Sequence, residues 1–314
     1  MYSLSNVNQL HAMPNARIST DKRALILSAL AEGTPLNAVC RMFKTGIHTV
    51  LRVIEETGEA LGSYMGENFR DLPCKRVEMD EQWQYVGQHG QRMEKKENGK
   101  GDYWLWAAID PDTKLVFSYH VARRDWAASE YFVEDVAKRV SGAVQITTDN
   151  HRSYARHIRA FFGFEGVNYG TETKIFGEPD SLTAWQKRRK NGVPRVAKAT
   201  REVVFGSPDL GSCTTAHIER VFLSVRQELT RFTRCTLAYS KCLRMHKLAV
   251  SLHFGLYNLV RRHRGIDGLT PAQAAGVEEN RWSFEDVVKM TEAYWRKKEE
   301  AAFEAAFIAG NHTH

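Results

Sequence analysis

Three acidic residues occupy positions from which a folded chain could bring their carboxylates together. Asp80 lies in a segment that alternates like a strand, Asp149 ends a short apolar run, and Glu219 lies near the start of an amphipathic helix. Mg²⁺ prefers oxygen ligands, and two such ions can stabilise the attacking and leaving oxygens of a phosphodiester. Taken singly, each acid could be a solvated strand residue, a strand-end cap or a first-turn glutamate. The three together, in this order of elements, predict a metal site for phosphodiester chemistry.

Other potential ligands are weaker candidates. Glu78 shares the predicted strand face of Asp80 and is a second choice for the same site. Asp110 and Asp112 flank a proline, so we interpret them as turn formers. The five cysteines form no C-x-x-C pair, so the sequence does not predict a zinc site.

A sheet must position the first two acids. The pattern predicts strands over residues 77–86, 103–109, 115–121 and 144–148, with a helix over 126–140 that Asp125 caps. One face of the first strand is expected to carry Val77, Met79, Trp83 and Tyr85, and the other Glu78, Asp80, Gln82 and Gln84. The helix is expected to bury Tyr131, Val133 and Val136. This order of elements indicates a mixed sheet with helices on its faces.

Helices dominate the C-terminal third of the sequence. One is predicted from Thr214 or Thr215, because apolar residues recur at spacings of four and three: Ile218, Phe222, Val225, Leu229 and Phe232. A second is predicted over 240–263, and a short one starts at Thr270 and Pro271. Ser283 and Asp286 resemble a capping box for a last helix.

The N-terminal region predicts a helix-turn-helix unit over residues 20–65, preceded by a flexible arm over 1–19. Its helices are expected over 20–31, capped by Thr20, from Pro35 with Val39 and Met42 inward, and from Ile47 past Ile54. The third would present His48, Thr49 and Arg52 outward, where a recognition helix contacts DNA. A plain three-helix packing module is the alternative.

Residues 166–211 lack clear periodicity and are rich in glycine, proline and basic residues, which predicts a basic insertion. Its charge is concentrated in Lys187, Arg188, Arg189 and Lys190. These side chains could contact a DNA backbone or belong to a solvated loop. Trp185 beside them could stack on an exposed base or pack in a core.

Composition is that of a globular protein, and its basic balance favours polyanionic partners but leaves nucleic acid, an acidic membrane surface and simple solubility open. Hydrophobic residues make up 43% of the chain, the formal net charge is +7 and the pI is about 9.1. The first twenty residues lack the apolar run of a signal peptide, and residues 248–260 are too short and polar to span a bilayer. We therefore expect an intracellular protein with no membrane partner.

Four segments resemble bacterial DDE transposases of the insertion-sequence-one type. They are VEMDEQWQYVG at 77–87, YWLWAAI at 103–109, TDNHRSY at 148–154, and AHIER at 216–220 with the continuation through 241. The similarity covers roughly residues 20–275. Its most specific parts are the Asp80 strand and the Glu219 helix. The sequence differs from that family in lacking a cysteine-based zinc finger and in carrying Val221 or Phe222 at a position where an asparagine is common.

The resemblance implies an α/β fold: an RNase H-like mixed sheet flanked by helices, with an N-terminal helix-turn-helix and a helical C-terminal extension. The catalytic core would span 73–263 and the extension 264–314. Asp80, Asp149 and Glu219 would be catalytic and would bind two Mg²⁺ ions, with Mn²⁺ as a substitute. Arg220, which flanks the glutamate in the matching motif, would contact DNA. Arg226 lies seven residues past Glu219 and hence on the same helix face, so it could contact a phosphate or form a surface ion pair.

The same resemblance implies the partners and the setting. DNA would be bound both as terminal inverted repeats and as target, by a dimer or higher oligomer, in the bacterial cytoplasm near the nucleoid. Two alternatives stay open at this point. One is a domesticated or inactive relative that only binds DNA, and the other is a hydrolytic nuclease of the same fold.

Overall fold

The computed structural model describes residues 18–90, 99–163, 165–176, 196–232 and 238–311. The strands are β1 (Arg76–Val86), β2 (Gly101–Ile109), β3 (Val116–Ala122), β4 (Val144–Thr148), β5 (Val167–Phe176) and β6 (Val196–Phe205). The helices are α1 (Thr20–Ala31), α2 (Leu36–Met42), α3 (Ile47–Asn68), α4 (Trp126–Ala137), α5 (Arg152–Phe162), α6 (Ala216–Glu228), α7 (Leu243–Leu259), α8 (Pro271–Ala274) and α9 (Phe284–Asn311).

The strands form one mixed sheet in the order β3-β2-β1-β4-β5-β6. β1 pairs antiparallel with β2 and parallel with β4, and β5 pairs parallel with β4 and antiparallel with β6. The chain passes from β3 to β4 through α4, and this long connection returns it to the other side of β1, where β4 can pair in parallel with β1. The predicted fold class, a mixed sheet flanked by helices, is confirmed.

The far half of β1 differs from the prediction. Val77 and Met79 are buried as expected, but Gln82 and Gln84 are also buried, whereas Trp83 and Tyr85 are only half-buried. α6 packs against β1 and lies over the face that carries Glu78, Gln82 and Gln84. The alternating pattern therefore predicted the strand correctly, but over residues 82–85 its polar face is buried more deeply than its apolar face.

The predicted basic insertion is partly regular structure. β5 and β6 lie within it and extend the sheet, and α5 precedes them. The prediction of an aperiodic segment was wrong there because polar residues such as Thr171 and Glu172 are buried in β5, which hides the strand pattern. Trp185, Lys187, Arg188, Arg189 and Lys190 lie outside the described residues, as does most of the predicted arm.

The three N-terminal helices were predicted, with two errors of detail. Ser19, not Thr20, caps α1, because its hydroxyl accepts a hydrogen bond from Lys22 N. Met42 is 61% exposed, while Val39 is fully buried. α3 continues far past Ile54 and packs against α7 and α9.

The glycines of α3 and α7 allow a close approach. A Cβ on Gly58 would lie 2.3 Å from the carbonyl oxygen of Leu248, and one on Gly255 would lie 2.7 Å from Leu61. Backbones this close need residues without side chains at the crossing. The N-terminal helices are thereby packed directly onto the helices that follow the sheet.

The remaining helices were predicted, with differences at their ends. α6 ends at Glu228, so Leu229 and Phe232 lie beyond it rather than within it. Thr270 and Gln273 form a capping box at α8, and Ser283 and Asp286 exchange hydrogen bonds at the start of α9. α7 is shorter than predicted at both ends. α4 is capped by Asp125 as predicted but ends at Ala137, three residues before the predicted end at residue 140.

One predicted core position of α4 is wrong. Tyr131 is 58% exposed, although Val133 and Val136 are fully buried.

In the part of the chain that the structure describes, no helix is both long and apolar enough to cross a membrane.

Candidate active site

The register of β1 and β4 brings the first two acids together. Met79 pairs with Thr148 in the parallel ladder, so Asp80 and Asp149 follow at the same level of the sheet. One carboxylate oxygen each from Asp80, Glu81 and Asp149 lies within 4.8 Å of the other two. Two of the three predicted acids thus meet where β4 ends.

Glu81 was missed in the sequence because strand alternation places it on the face opposite Asp80. Its side chain is almost completely buried and accepts hydrogen bonds from Arg124 Nε at 2.7 Å and Tyr154 Oη at 2.9 Å. Arg124 also lies 3.8 Å from Asp149 Oδ2. The guanidinium therefore bridges two acids of the cluster. Its only sequence signal is its place two residues after the end of β3.

Glu219 approaches the same place from the first turn of α6. With Asp80 and Asp149 it lines a cavity of about 630 Å³. Its Oε1 accepts hydrogen bonds from Lys174 Nζ at 2.5 Å and from Thr215 Oγ1 at 3.0 Å. All three predicted acids line one cavity, and Lys174 of β5 pairs with Glu219.

Two buried carboxylates anchor the start of α6. Glu78 Oε2 accepts hydrogen bonds from the backbone N–H groups of His217 at 2.9 Å and Ile218 at 3.0 Å. Glu172 Oε2 accepts one from Thr215 N at 3.0 Å. The first N–H groups of a helix lack partners within the helix, and negative charge is favourable there. Glu78, predicted as a second-choice metal ligand, is instead a cap for the helix that carries Glu219.

The electrostatics of the cluster favour a bound cation. Burial raises the pKa of Asp80 well above its usual range, and the nearby charges of Glu81, Asp149 and Glu219 raise it further. Burial and Asp149 also raise the pKa of Glu81. Like charges this close oppose each other's ionisation, and a divalent ion relieves that repulsion. Carboxylate oxygens at this spacing fit Mg²⁺ or Mn²⁺ in their donor chemistry.

The structure also places the other predicted residues. Arg220 is exposed and Arg226 half-buried on α6, and both line a second cavity beside Asp80. On α3, His48 and Arg52 are exposed and Thr49 is half-buried. Asp110 and Asp112 are turn residues as predicted: Asp110 accepts a hydrogen bond from Asp112 N at 2.9 Å, and Asp112 pairs with Arg76.

Comparisons with known proteins give structural similarity alone. No protein-family model matches the chain, and no curated protein matches it. A piggyBac transposase synaptic complex with hairpin DNA is similar at a TM-score of 0.37 and 12% identity, over 89% of this chain and 72% of that one. A Mos1 strand transfer complex gives a TM-score of 0.24 and 12% identity over 77% and 78%. A pre-cleavage Mos1 transpososome gives 0.22 and 11% over 79% and 81%.

Proposed function

We propose that this protein is a DDE-type DNA transposase that cuts DNA at element ends and joins them to a target. The observation that carries this proposal is the convergence of Asp80, Asp149 and Glu219, from β1, the end of β4 and the start of α6, on one cavity. These residues would hold two Mg²⁺ ions, or Mn²⁺ in their place. Such ions polarise the phosphodiester and activate the attacking oxygen.

The reaction consists of two displacements at phosphorus. In the first, the oxygen of water bonds to the phosphorus at an element end, the bond to the 3′ oxygen breaks, and that oxygen takes up a proton. In the second, the freed 3′-hydroxyl loses its proton and bonds to a target phosphorus, and a target 3′ oxygen leaves. Both steps develop negative charge, so cations fixed near the cavity lower the barrier.

Arg124 and Lys174 would position the acids and neutralise negative charge on the DNA. Arg124 contacts both Glu81 and Asp149, and Lys174 pairs with Glu219. The guanidinium and the ammonium group are therefore already at the cavity before DNA binds. Such preorganisation avoids rearrangement during the reaction.

DNA contacts are proposed on three further surfaces. Arg220 and Arg226 lie beside the carboxylates, and the exposed face of α3 offers His48, Thr49 and Arg52. Lys187, Arg188, Arg189 and Lys190 are proposed to bind the phosphate backbone. Two element ends must be held together during joining, so the active form would be a dimer or higher oligomer on DNA.

The test is cleavage of duplexes carrying the sequences that flank the protein's own gene. Wild type is expected to cleave with Mg²⁺ and to yield joined products, while Asp149→Asn and Glu219→Gln lose both activities by several orders of magnitude. Glu285→Gln, an exposed acid in the first turn of α9, serves as the matched control and should cleave like wild type.

Other results would replace the proposal. Cleavage without joined products would indicate a hydrolytic nuclease. Tight DNA binding without cleavage, with either Mg²⁺ or Mn²⁺, would indicate a DNA-binding relative that has lost the chemistry.

A further inference from the structure

A third cavity, of about 330 Å³, lies on another flank of α6 from the carboxylate cavity. Val221 and Ser224 line it, and at 3.6 residues per turn they lie roughly half a turn around the helix from Glu219. We call this cavity the basic pocket. The described residues that line it include no acid but four cationic side chains: Lys114, Arg220, Arg261 and Arg264. Apart from Arg220, none of the four has a role in the proposed reaction.

The four cations come from different segments of the chain. Lys114 lies in the turn between β2 and β3, Arg220 on α6, and Arg261 and Arg264 in the segment that follows α7. The first and last of these segments are in contact, because a Cβ on Gly265 would lie 3.8 Å from Lys114 Cε. The fold therefore gathers like charges at one place, and their repulsion costs free energy unless an opposite charge joins them.

Neighbouring acids compensate only part of this charge. Arg261 pairs with Glu228. Arg220 and Arg264 are both exposed, and neither forms an ion pair with any residue that the structure describes. The basic pocket is thus left with a surplus of positive charge.

Burial adds to the cost of that surplus. It lowers the pKa of Lys114, although the charges of three nearby acids act in the opposite direction: Glu78, Asp112 and Asp110. Burial also lowers the pKa of His263, which lines the pocket, and the positive charges of Arg261 and Lys114 lower it further. Both shifts are in the direction that a bound anion would reverse.

The rest of the lining is apolar. Ile109, Val221 and Tyr257 are buried and form part of the wall, and Ser224 adds a hydroxyl group. Apolar walls keep water away from part of the pocket, which strengthens the attraction between a cation and a bound anion. Guanidinium groups match the spacing of phosphate oxygens and bind them through paired hydrogen bonds.

We propose that the basic pocket binds a compact free phosphate anion, inorganic phosphate or pyrophosphate, at a site separate from the carboxylate cavity. A free phosphate offers oxygens on all sides, so cations from several segments can contact it at once. A phosphodiester of the DNA backbone has only two oxygens outside the chain and continues on both sides, so it fits a recess less well. This inference goes beyond the proposed function and does not depend on it.

The experiment measures anion binding without divalent metal, because the acids of the carboxylate cavity then repel anions. The full-length protein is titrated with inorganic phosphate and with pyrophosphate by calorimetry. Its melting temperature is recorded in the same anions and in chloride of equal ionic strength. The test variants are Arg264→Gln and Arg264→Lys. Arg262→Gln removes an exposed arginine that does not line the pocket and is the matched control.

Wild type and Arg262→Gln are expected to bind phosphate equally and to melt at a higher temperature in phosphate than in chloride, because the anion binds the folded state. Arg264→Gln should bind about ten-fold more weakly. Arg264→Lys should lie between them, since it keeps the charge but loses the planar fork. No stabilisation beyond that of chloride, or equal weakening in the two Gln variants, would overturn the basic pocket.

A second arm distinguishes a free anion from the phosphates of DNA. The same proteins are titrated with a short duplex that has 5′-hydroxyl ends, in the same metal-free buffer. Arg264→Gln and Arg262→Gln should bind this duplex with equal affinity. If Arg264→Gln alone weakened duplex binding while wild type bound no free phosphate, the pocket would be a contact for the DNA backbone and the proposal would fail. Neither arm requires cleavage, so loss of the proposed function would leave both results unchanged.

Discussion

Glu78 and Ile218 connect the strand that carries Asp80 to the helix that carries Glu219. The carboxylate of Glu78 accepts hydrogen bonds from Ile218 N at 3.0 Å and His217 N at 2.9 Å, and a third contact joins it to His217 Nδ1 at 2.7 Å. Glu78 lies two residues before Asp80, and Ile218 one residue before Glu219. A single buried side chain therefore fixes the distance between two of the three acids.

Removal of this carboxylate should impair both stability and metal binding. Glu78→Ala leaves two buried backbone N–H groups without acceptors, which costs about 1–3 kcal/mol in the free energy of unfolding. Because the start of α6 is released, the affinity for Mn²⁺ should fall as well. Chemical denaturation and a Mn²⁺ titration measure the two effects.

Glu78→Gln separates positioning from folding. The amide oxygen still accepts from the backbone, so most of the stability should return, while the charge that favours the helix N-terminus is lost. An unchanged Mn²⁺ affinity in both variants would show that Glu78 supports the fold without positioning Glu219.

Asp80→Asn is expected to stabilise the metal-free protein while abolishing its response to metal. Burial and three neighbouring acids raise the pKa of Asp80, so its charge costs free energy in the folded state. An increase in the free energy of unfolding of about 1 kcal/mol is expected. Mg²⁺ should raise the melting temperature of wild type, because it binds the folded state, and have little effect on the variant.

Asp112→Asn is the control, for which the expected change in the free energy of unfolding has the opposite sign. Its hydrogen bond with Arg76 lowers the pKa of Asp112, so loss of this charge should destabilise the protein slightly and leave the Mg²⁺ response intact. An Asp80→Asn protein that is less stable than wild type without metal would contradict repulsion within the cluster.

Two glycines of α3 provide a matched test of how the N-terminal helices are attached. A Cβ on Gly58 would meet the backbone of Leu248 on α7, whereas one on Gly66 would meet open space. Gly58→Ala should therefore destabilise by about 1–3 kcal/mol, because helices must separate. Gly66→Ala should stabilise by about 0.5–1 kcal/mol through helix propensity.

The measurement is urea denaturation followed by both tryptophan fluorescence and circular dichroism. Coincident transitions in both variants would show that α3 unfolds together with the rest of the chain. If Gly58→Ala were as stable as Gly66→Ala, the close crossing with α7 would be refuted.

Sequence patterns predicted the elements that carry the three acids. β4 ends before Asp149 as expected. The apolar residues that recur from Ile218 onward predicted the start of α6. Both signals are periodicities within a short stretch of the sequence. Glu81 and Arg124 could not be found this way. Glu81 belongs by alternation to the face opposite Asp80, and its place in the cluster depends on a contact with Arg124, which lies 43 residues away in the chain.

Buried polar residues account for the other failures. β5 contains a buried Glu172 that caps α6, and Lys174 that reaches Glu219, so its composition resembles a loop. Glu78 was only a second-choice ligand candidate, and its role as a long-range helix cap could not be predicted because such a contact leaves no trace in sequence spacing. In each case the residue type follows from a partner that lies far away in the chain.

Lys174 is expected to stabilise the metal-free site. Its Nζ lies 2.5 Å from Glu219, 3.1 Å from Thr215 Oγ1 and 3.4 Å from Glu172. Because its side chain is largely buried, Lys174→Met leaves two acids poorly compensated and should destabilise by about 1–3 kcal/mol. Lys138→Met, which removes an exposed pair with Glu134, should change stability by less than about 0.5 kcal/mol.

Metal should rescue the Lys174 variant. A divalent ion can neutralise Glu219 in place of the ammonium group, so Mg²⁺ should raise the melting temperature of Lys174→Met more than that of wild type or Lys138→Met. If Mg²⁺ raised the melting temperature equally in the three proteins, Lys174 would not compensate the charge of the metal-binding acids.

His246 should make the fold sensitive to mild acid. Burial, with a smaller effect of Arg231, lowers the pKa of this histidine from 6.5 to about 3, and its Nδ1 lies 2.7 Å from Ser240 Oγ. The folded protein therefore keeps the ring neutral, while the unfolded chain takes up a proton below about pH 6.5. The associated stability is present above pH 6.5 and is lost as pH falls toward 3.

A comparison of wild type with His246→Gln isolates this contribution, because all other titrating groups are common to both proteins. Between pH 7 and pH 5, wild type should lose about 2 kcal/mol more of its free energy of unfolding than the variant does. Urea denaturation at the two pH values measures the difference. Glutamine takes up no proton in either state, so the variant shows the loss due to all other groups. Identical losses in the two proteins would mean that the pKa of His246 is the same in the folded and unfolded states. That outcome would contradict the lowering of its pKa by burial beside Phe232 and Arg231.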